Sequence, residues 1–280
     1  MSAIALCDLT IRLGGRDILS HVTLRIEEGE FIGVLGPNGS GKTTLLRAIL
    51  GLAPMASGLL HVLGQSAARG NTAIGYMPQG RRTVQHSRLT GWEFVAGVVN
   101  GHRLGLPFLG KAARAEVEHA LDLVGARALA RYPLSEISGG ERQRLLLAQT
   151  LIGSPKLLIL DEPLANLDPH YQAETVALTK TLQRELGVTV LFTAHELNPL
   201  LGAVDRVLYL GSGQAALGTV EEVITAPVLS RIYGADIDVV HVNGRIFVMA
   251  GRHDVERDAH RHNPNGPHPQ RLSRVPHVHA

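Results

Sequence analysis

The chain has 280 residues, 45% of them apolar and 19% charged, with a formal net charge of +2. That length can bury a large core and fits one α/β domain with a subdomain, and the composition excludes a disordered chain. So small a net charge makes no case for nucleic acid as a partner, and a lone cysteine, Cys7, excludes an internal disulfide framework and fits a reducing compartment.

In chain order, the first residues show no basic segment followed by an apolar run, so no secretory signal is expected. Residues 1–30 predict short strands at Ile4–Ile11 and Ile18–Ile26, with Gly14-Gly15 as the turn between them. The apolar run Phe31–Leu35 predicts another strand. Leu45, Leu46, Ile49 and Leu50 predict a helix, with Gly51 at its C-terminal cap. Leu59–Leu63 and Ala73–Met77 read as further strands. The longest stretch without formal charge, Ala48–Ala68, carries Gly51, Pro54, Gly58 and Gly64, which mark loop and strand and not a membrane span. From Gly80 the strand signals fade and amphipathic patterns begin. Val117, Ala120, Leu121 and Val124 share one helical face, so a helical subdomain over about 80–152 is expected inside the α/β core. Core strands return at Lys156–Leu160, Val188–Thr193 and Arg206–Leu210. The first two are nearly continuous apolar runs, as a parallel sheet covered on both faces requires. After about Gly251 the chain turns polar, with prolines and six of the fourteen histidines, so 1–250 is read as the folded unit and 251–280 as a tail expected to be disordered.

The chemistry sits between these elements. Gly36-Pro37-Asn38-Gly39-Ser40-Gly41-Lys42-Thr43-Thr44 follows the Phe31–Leu35 run and opens a helix, and it meets G-x-x-x-x-G-K-[ST], the phosphate-binding P-loop. Backbone N–H groups of such a loop converge on negative charge. Glycines admit the phosphates, Lys42 brings a point charge, and Thr43 offers a hydroxyl to Mg²⁺. Leu157-Leu-Ile-Leu-Asp161-Glu162 sets two carboxylates at the carboxyl end of a buried strand, where open α/β sheets bind their ligands. Asp161 is placed to hold Mg²⁺ through water, and Glu162 to orient and deprotonate an attacking water. His195 closes the Val188–Thr193 strand and arrives at the same edge. Gln79, just after the strand ending at Met77, is a neutral candidate ligand for Mg²⁺ or water. Ser138-Gly139-Gly140-Glu141 is a helix capping box ahead of Leu145, Leu146, Ala148 and Leu151, and the same exposed helix N-terminus can receive a phosphate.

With these motifs in this order, residues 4–250 resemble an ATP-binding subunit of an ABC transporter, in the zinc/manganese importer branch. The resemblance identifies Gly36–Thr44 as the Walker A motif, Gln79 as the Q-loop glutamine and Ser138–Glu141 as the signature. It makes Leu157–Asp161 the Walker B strand with Glu162 as catalytic carboxylate, Leu164–Asp168 the D-loop and His195 the switch histidine. It implies a P-loop NTPase core with an N-terminal antiparallel β subdomain and an inserted α-helical signature subdomain. It further implies a homodimer clasping two ATP and Mg²⁺, each ATP between one copy's Walker motifs and the other's Ser138 and Gly140. A separate membrane permease would dock over the Gln79 segment and the helices that follow, at the cytoplasmic face of a bacterial inner membrane, fed by an extracytoplasmic metal-binding protein. Three positions depart from the family pattern: Ile137 for leucine, Glu141 for glutamine, and Leu13 where an aromatic ring usually meets the adenine. Leu13 can offer apolar contact and Arg12 or Arg16 a guanidinium plane, so weak base discrimination is expected.

Cargo is read from the resemblance alone. Thr193–Asn198, Val207–Gly211 and the stretch from Val223 to Val248 look closest to zinc/manganese members. An iron-chelate, haem or cobalamin importer is the alternative, and a non-transport ABC ATPase a more distant one. In the tail, His260-x-His262 and His277-x-His279, with His253 and His268, could bind Zn²⁺ loosely or be compositional only.

Overall fold

The opening strand signals become a long hairpin in the computed structural model, which describes residues 1–79, 88–99 and 109–250. Strands β1 (Ser2–Leu13) and β2 (Arg16–Glu27) pair antiparallel, running one or two residues further at each end than their apolar cores. Next come β3 (Phe31–Leu35), helix α1 (Lys42–Ile49), β4 (Ser57–Val62) and the short β5 (Gln65–Ser66). β4 and β5 join the hairpin in an antiparallel sheet of order β2-β1-β4-β5.

β3 belongs instead to a six-stranded sheet. Its other members are β6 (Ile74–Met77), β7 (Leu157–Leu160), β8 (Thr189–Thr193), β9 (Arg206–Gly211) and β10 (Gln214–Gly218), in the order β10-β9-β3-β8-β7-β6. All pairs are parallel except β9 with β10. The continuous apolar runs follow from this position, because both faces are covered. Leu157, Ile159, Ile32, Val34, Leu208 and Leu210 pack toward α1 and the antiparallel sheet. Leu158, Leu160, Phe31, Val190, Phe192 and Val207 pack into the core on the other face. Every side chain of β7 is fully buried; burying such a leucine is worth about 1.5–3 kcal/mol each.

Between β6 and β7 stand α2 (Gly91–Ala96), α3 (Lys111–Leu123) and α4 (Gly139–Leu151). Val117, Ala120 and Leu121 of α3, with Val124 just beyond it, form its buried face, as the periodicity predicts. Helix α5 (Pro169–Leu186) links β7 to β8 and has no counterpart among the sequence-derived elements. Its buried stripe is Val176, Thr179, Leu182 and Gln183, of which two are polar, so the apolar period is faint. Asp168 at the N-cap, Pro169 in the first turn and Gly187 in the left-handed C-cap were the available signals. After β10 come α6 (Val220–Val223), α7 (Ala226–Tyr233) and a hairpin of β11 (Ile237–Val242) and β12 (Arg245–Ala250). Its two-residue turn is Asn243-Gly244, both at positive φ (49° and 74°), the conformation that suits a tight hairpin. Among the described residues no helix is long and apolar enough to cross a membrane.

Candidate active site at the carboxyl edge of the parallel sheet

Register puts the chemistry in one place. Met77 of β6 pairs with Leu160 of β7, Leu160 with Phe192 of β8, and Phe192 with Gly33 of β3. The four strands therefore end level, about 4.8 Å apart from neighbour to neighbour. Gln79, Asp161-Glu162, His195 and the Gly36–Gly41 loop all leave the sheet on that edge, although they are far apart in the chain.

A cleft of about 570 Å³ opens there, lined by Ile18, residues 38–44, Gln79, Glu162 and His195. Its floor is the loop between β3 and α1. Gly36 adopts φ 141°, and a Cβ at that position would lie 2.2 Å from the Leu210 carbonyl oxygen, so only glycine fits. Lys42 is buried and donates from Nζ to the carbonyls of Gly36 (2.6 Å) and Pro37 (3.1 Å), leaving one ammonium proton for the cleft. Burial pulls its pKa down, against the opposing pull of Glu162 and Asp161. The Ser40 hydroxyl is buried and has no hydrogen-bond partner among the described residues, which suits an anion at the loop.

The carboxylates differ. Asp161 is 2% exposed, and burial raises its pKa; Glu162 adds to the rise, while a hydrogen bond from Thr193 and the charges of Lys42 and Arg47 oppose it. Glu162 is held on both sides. Gln79 Nε2 donates to Oε2, and His195 Nε2 lies 2.9 Å from Oε1. Each carboxylate oxygen keeps a free lone pair, so Glu162 can still accept a proton from water. Its backbone is at φ 51°, unusual for a residue with a side chain, and its N–H donates to Thr193 Oγ1 at 2.6 Å. Thr193 Oγ1 in turn donates to Asp161 Oδ1 at 3.0 Å. Thr193 is thus the residue that joins both carboxylates, and the sequence shows it only as the last residue of an apolar strand. Asp161, the Thr43 hydroxyl and the Gln79 carboxamide oxygen are all oxygen donors, the kind a hard cation such as Mg²⁺ takes; Thr43 and Gln79 line the cleft, and Asp161 is not among the lining residues.

Other predicted site residues lie elsewhere. Leu13 ends β1, is 39% exposed, and is not among the cleft-lining residues; Ile18 is, and Arg12 is engaged by Asp17 at 2.5 Å. Ser138 caps α4, with its N–H and hydroxyl both donating to Glu141 at 2.8 Å, which holds the Glu141 pKa down. Ser138 and Gly139 are exposed, whereas Gly140 is buried beneath the Tyr171 ring. None of the four lines this chain's own cleft. The tail histidines lie outside the described residues, and among the described residues no three His, Cys, Asp or Glu side chains gather as a metal site.

Comparison with known proteins agrees with this geometry. The family described as ABC transporter matches residues 19–165. A zinc import ATP-binding protein, ZnuC 2 of Hahella chejuensis, is 34% identical over 86% of this chain and 94% of its own length. The manganese transport system ATP-binding protein MntB of Bacillus subtilis is 34% identical over 84% of this chain and 93% of its own. Among solved structures, cbiO1 of Clostridium perfringens, part of the ABC transporter complex cbiONQ, superposes with a TM-score of 0.71 at 27% identity, covering 82% of this chain and 93% of that one. The chain belongs to the ABC transporter family, as an ATP-binding cassette.

Proposed function

We propose that this cassette hydrolyses ATP to power import of a divalent metal ion, zinc or manganese, through a separate membrane permease. The observation that carries the ATPase reading is Glu162, fixed between Gln79 and His195 on the wall of the P-loop cleft. The names of the similar zinc and manganese proteins support the cargo.

In this reading Lys42, Ser40 and the loop N–H groups bind the phosphates. Glu162 accepts a proton as water attacks the γ-phosphorus and ADP leaves, while His195 steadies Glu162 and reaches the γ-phosphate. Thr43, Asp161 and Gln79 would hold Mg²⁺, which when bound would neutralise phosphate charge. Ser138–Glu141 serve the nucleotide of a second copy, which accounts for their exclusion from this chain's cleft. The protein then works as a homodimer on the cytoplasmic face of a bacterial inner membrane, beneath a permease supplied by an extracytoplasmic metal-binding protein.

Glu162→Gln tests the shared site. The variant should bind ATP and stall as a dimer, seen as a doubled mass by gel filtration with ATP. A monomer at saturating ATP, with hydrolysis abolished, would refute the paired arrangement. Growth of a deletion strain under zinc or manganese limitation tests the cargo.

A further inference from the structure

Asn198 stands three residues beyond His195, and its carboxamide grips the backbone of β12. Nδ2 donates to the Ile246 carbonyl at 2.9 Å, and Oδ1 accepts from the Ile246 N–H at 2.9 Å. One donor and one acceptor side by side reproduce the edge of a neighbouring strand, so a side chain completes the outer edge of β12. Leu197 and Leu200 on either side of Asn198 are buried, which ties the segment into the core. His195 itself shares a cavity of about 310 Å³ with Ile246, Phe247 and Val248 of the hairpin. One face of the hairpin is docked, with Ile237 buried and Val239 and Ile246 packed against the core, and a second polar anchor runs from the Ile237 N–H to Ser230 Oγ at 2.9 Å; Val242, Phe247 and Met249 are exposed.

We propose that Asn198 is a positioning residue that acts through His195, with the C-terminal hairpin as the abutment that sets where the His195 loop stands. The inference rests on the reading of His195 given above. His195 must keep its 2.9 Å approach to Glu162, and a misplacement of about 1 Å in such a constellation costs about a hundredfold in rate. A shift of a few tenths of an ångström is therefore enough for a several-fold loss.

The test uses full-length Asn198→Ala and Asn198→Asp, the second keeping size and acceptor while losing the amide donor, together with His195→Ala and His195→Ala/Asn198→Ala. Hydrogen exchange at the Ile246 amide reports the contact, and steady-state kinetics report its consequence. Asn198→Ala, which loses the acceptor of the Ile246 N–H, should speed exchange at Ile246, and both Asn198 variants should lower kcat about fivefold, with KM for ATP within about twofold. In the His195→Ala background the Asn198 loss should vanish. Unchanged exchange in Asn198→Ala, an unchanged kcat despite faster exchange, or the same fold-loss without His195 overturns the proposal. A His195→Ala protein that hydrolyses ATP at the parental rate overturns the reading of His195 instead.

Discussion

Thr193→Val removes one buried hydroxyl and keeps the shape of the side chain. That hydroxyl is fully buried, accepts from the Glu162 N–H at 2.6 Å and donates to Asp161 at 3.0 Å. Leaving a buried N–H unpaired costs about 1–3 kcal/mol, and losing a hydrogen bond to a charged group about 1.5–3 kcal/mol. The added methyl returns about 1 kcal/mol. The net loss is about 1.5–5 kcal/mol, or roughly 3–20 °C in Tm at about 2–4 °C per kcal/mol for a large domain. The loss also depends on pH. Asp161 has a pKa raised by burial, so the stability tied to its protonated form is complete below the unfolded value and is lost as pH rises through the folded value. Without the Thr193 bond the folded pKa rises further, so the variant falls behind the parent increasingly from acid to neutral pH. Thermal unfolding followed by circular dichroism at about pH 5 and about pH 8 checks this. A drop below about 2 °C at both pH values would refute the claim that Thr193 joins the two carboxylates.

Two further outcomes rest on the same geometry. Asp161→Asn should stabilise the protein without nucleotide or Mg²⁺, more at about pH 8 than at about pH 5, while abolishing Mg²⁺-dependent hydrolysis; urea unfolding with chelator and a phosphate-release assay separate the two effects. Gly140→Ala should destabilise by about 1–3 kcal/mol, because its Cβ would lie 2.3 Å from the Tyr171 ring, and Tyr171→Ala should relieve much of that cost in a double-mutant cycle.

The parallel strands and the site they carry were legible because a strand buried on both faces is almost wholly apolar and ends in polar residues with a chemical task. Phe31–Leu35 before Gly36 and Leu157–Leu160 before Asp161 show both signals at once. Helix α5 was not legible from periodicity, since Thr179 and Gln183 occupy half of its buried stripe. Thr193 was missed because its task lies in bonds to residues 31 and 32 positions away, which no local pattern displays. The Asn198 grip on Ile246 spans 48 positions and is invisible for the same reason. The Gly140 contact with Tyr171 depends on α5, so it was lost with that helix.

The place of β6 has a mechanical consequence. Among the described strands it is, with β10, one of the two edges of the six-stranded sheet and is bonded along one side only, whereas β7, β8 and β3 are each clamped between two neighbours. A tug from the helices joined to β6 therefore meets least resistance at Gln79, and it reaches Glu162 through the hydrogen bond between them. On the function proposed above, force from a membrane subunit would reach this contact of the carboxylate first.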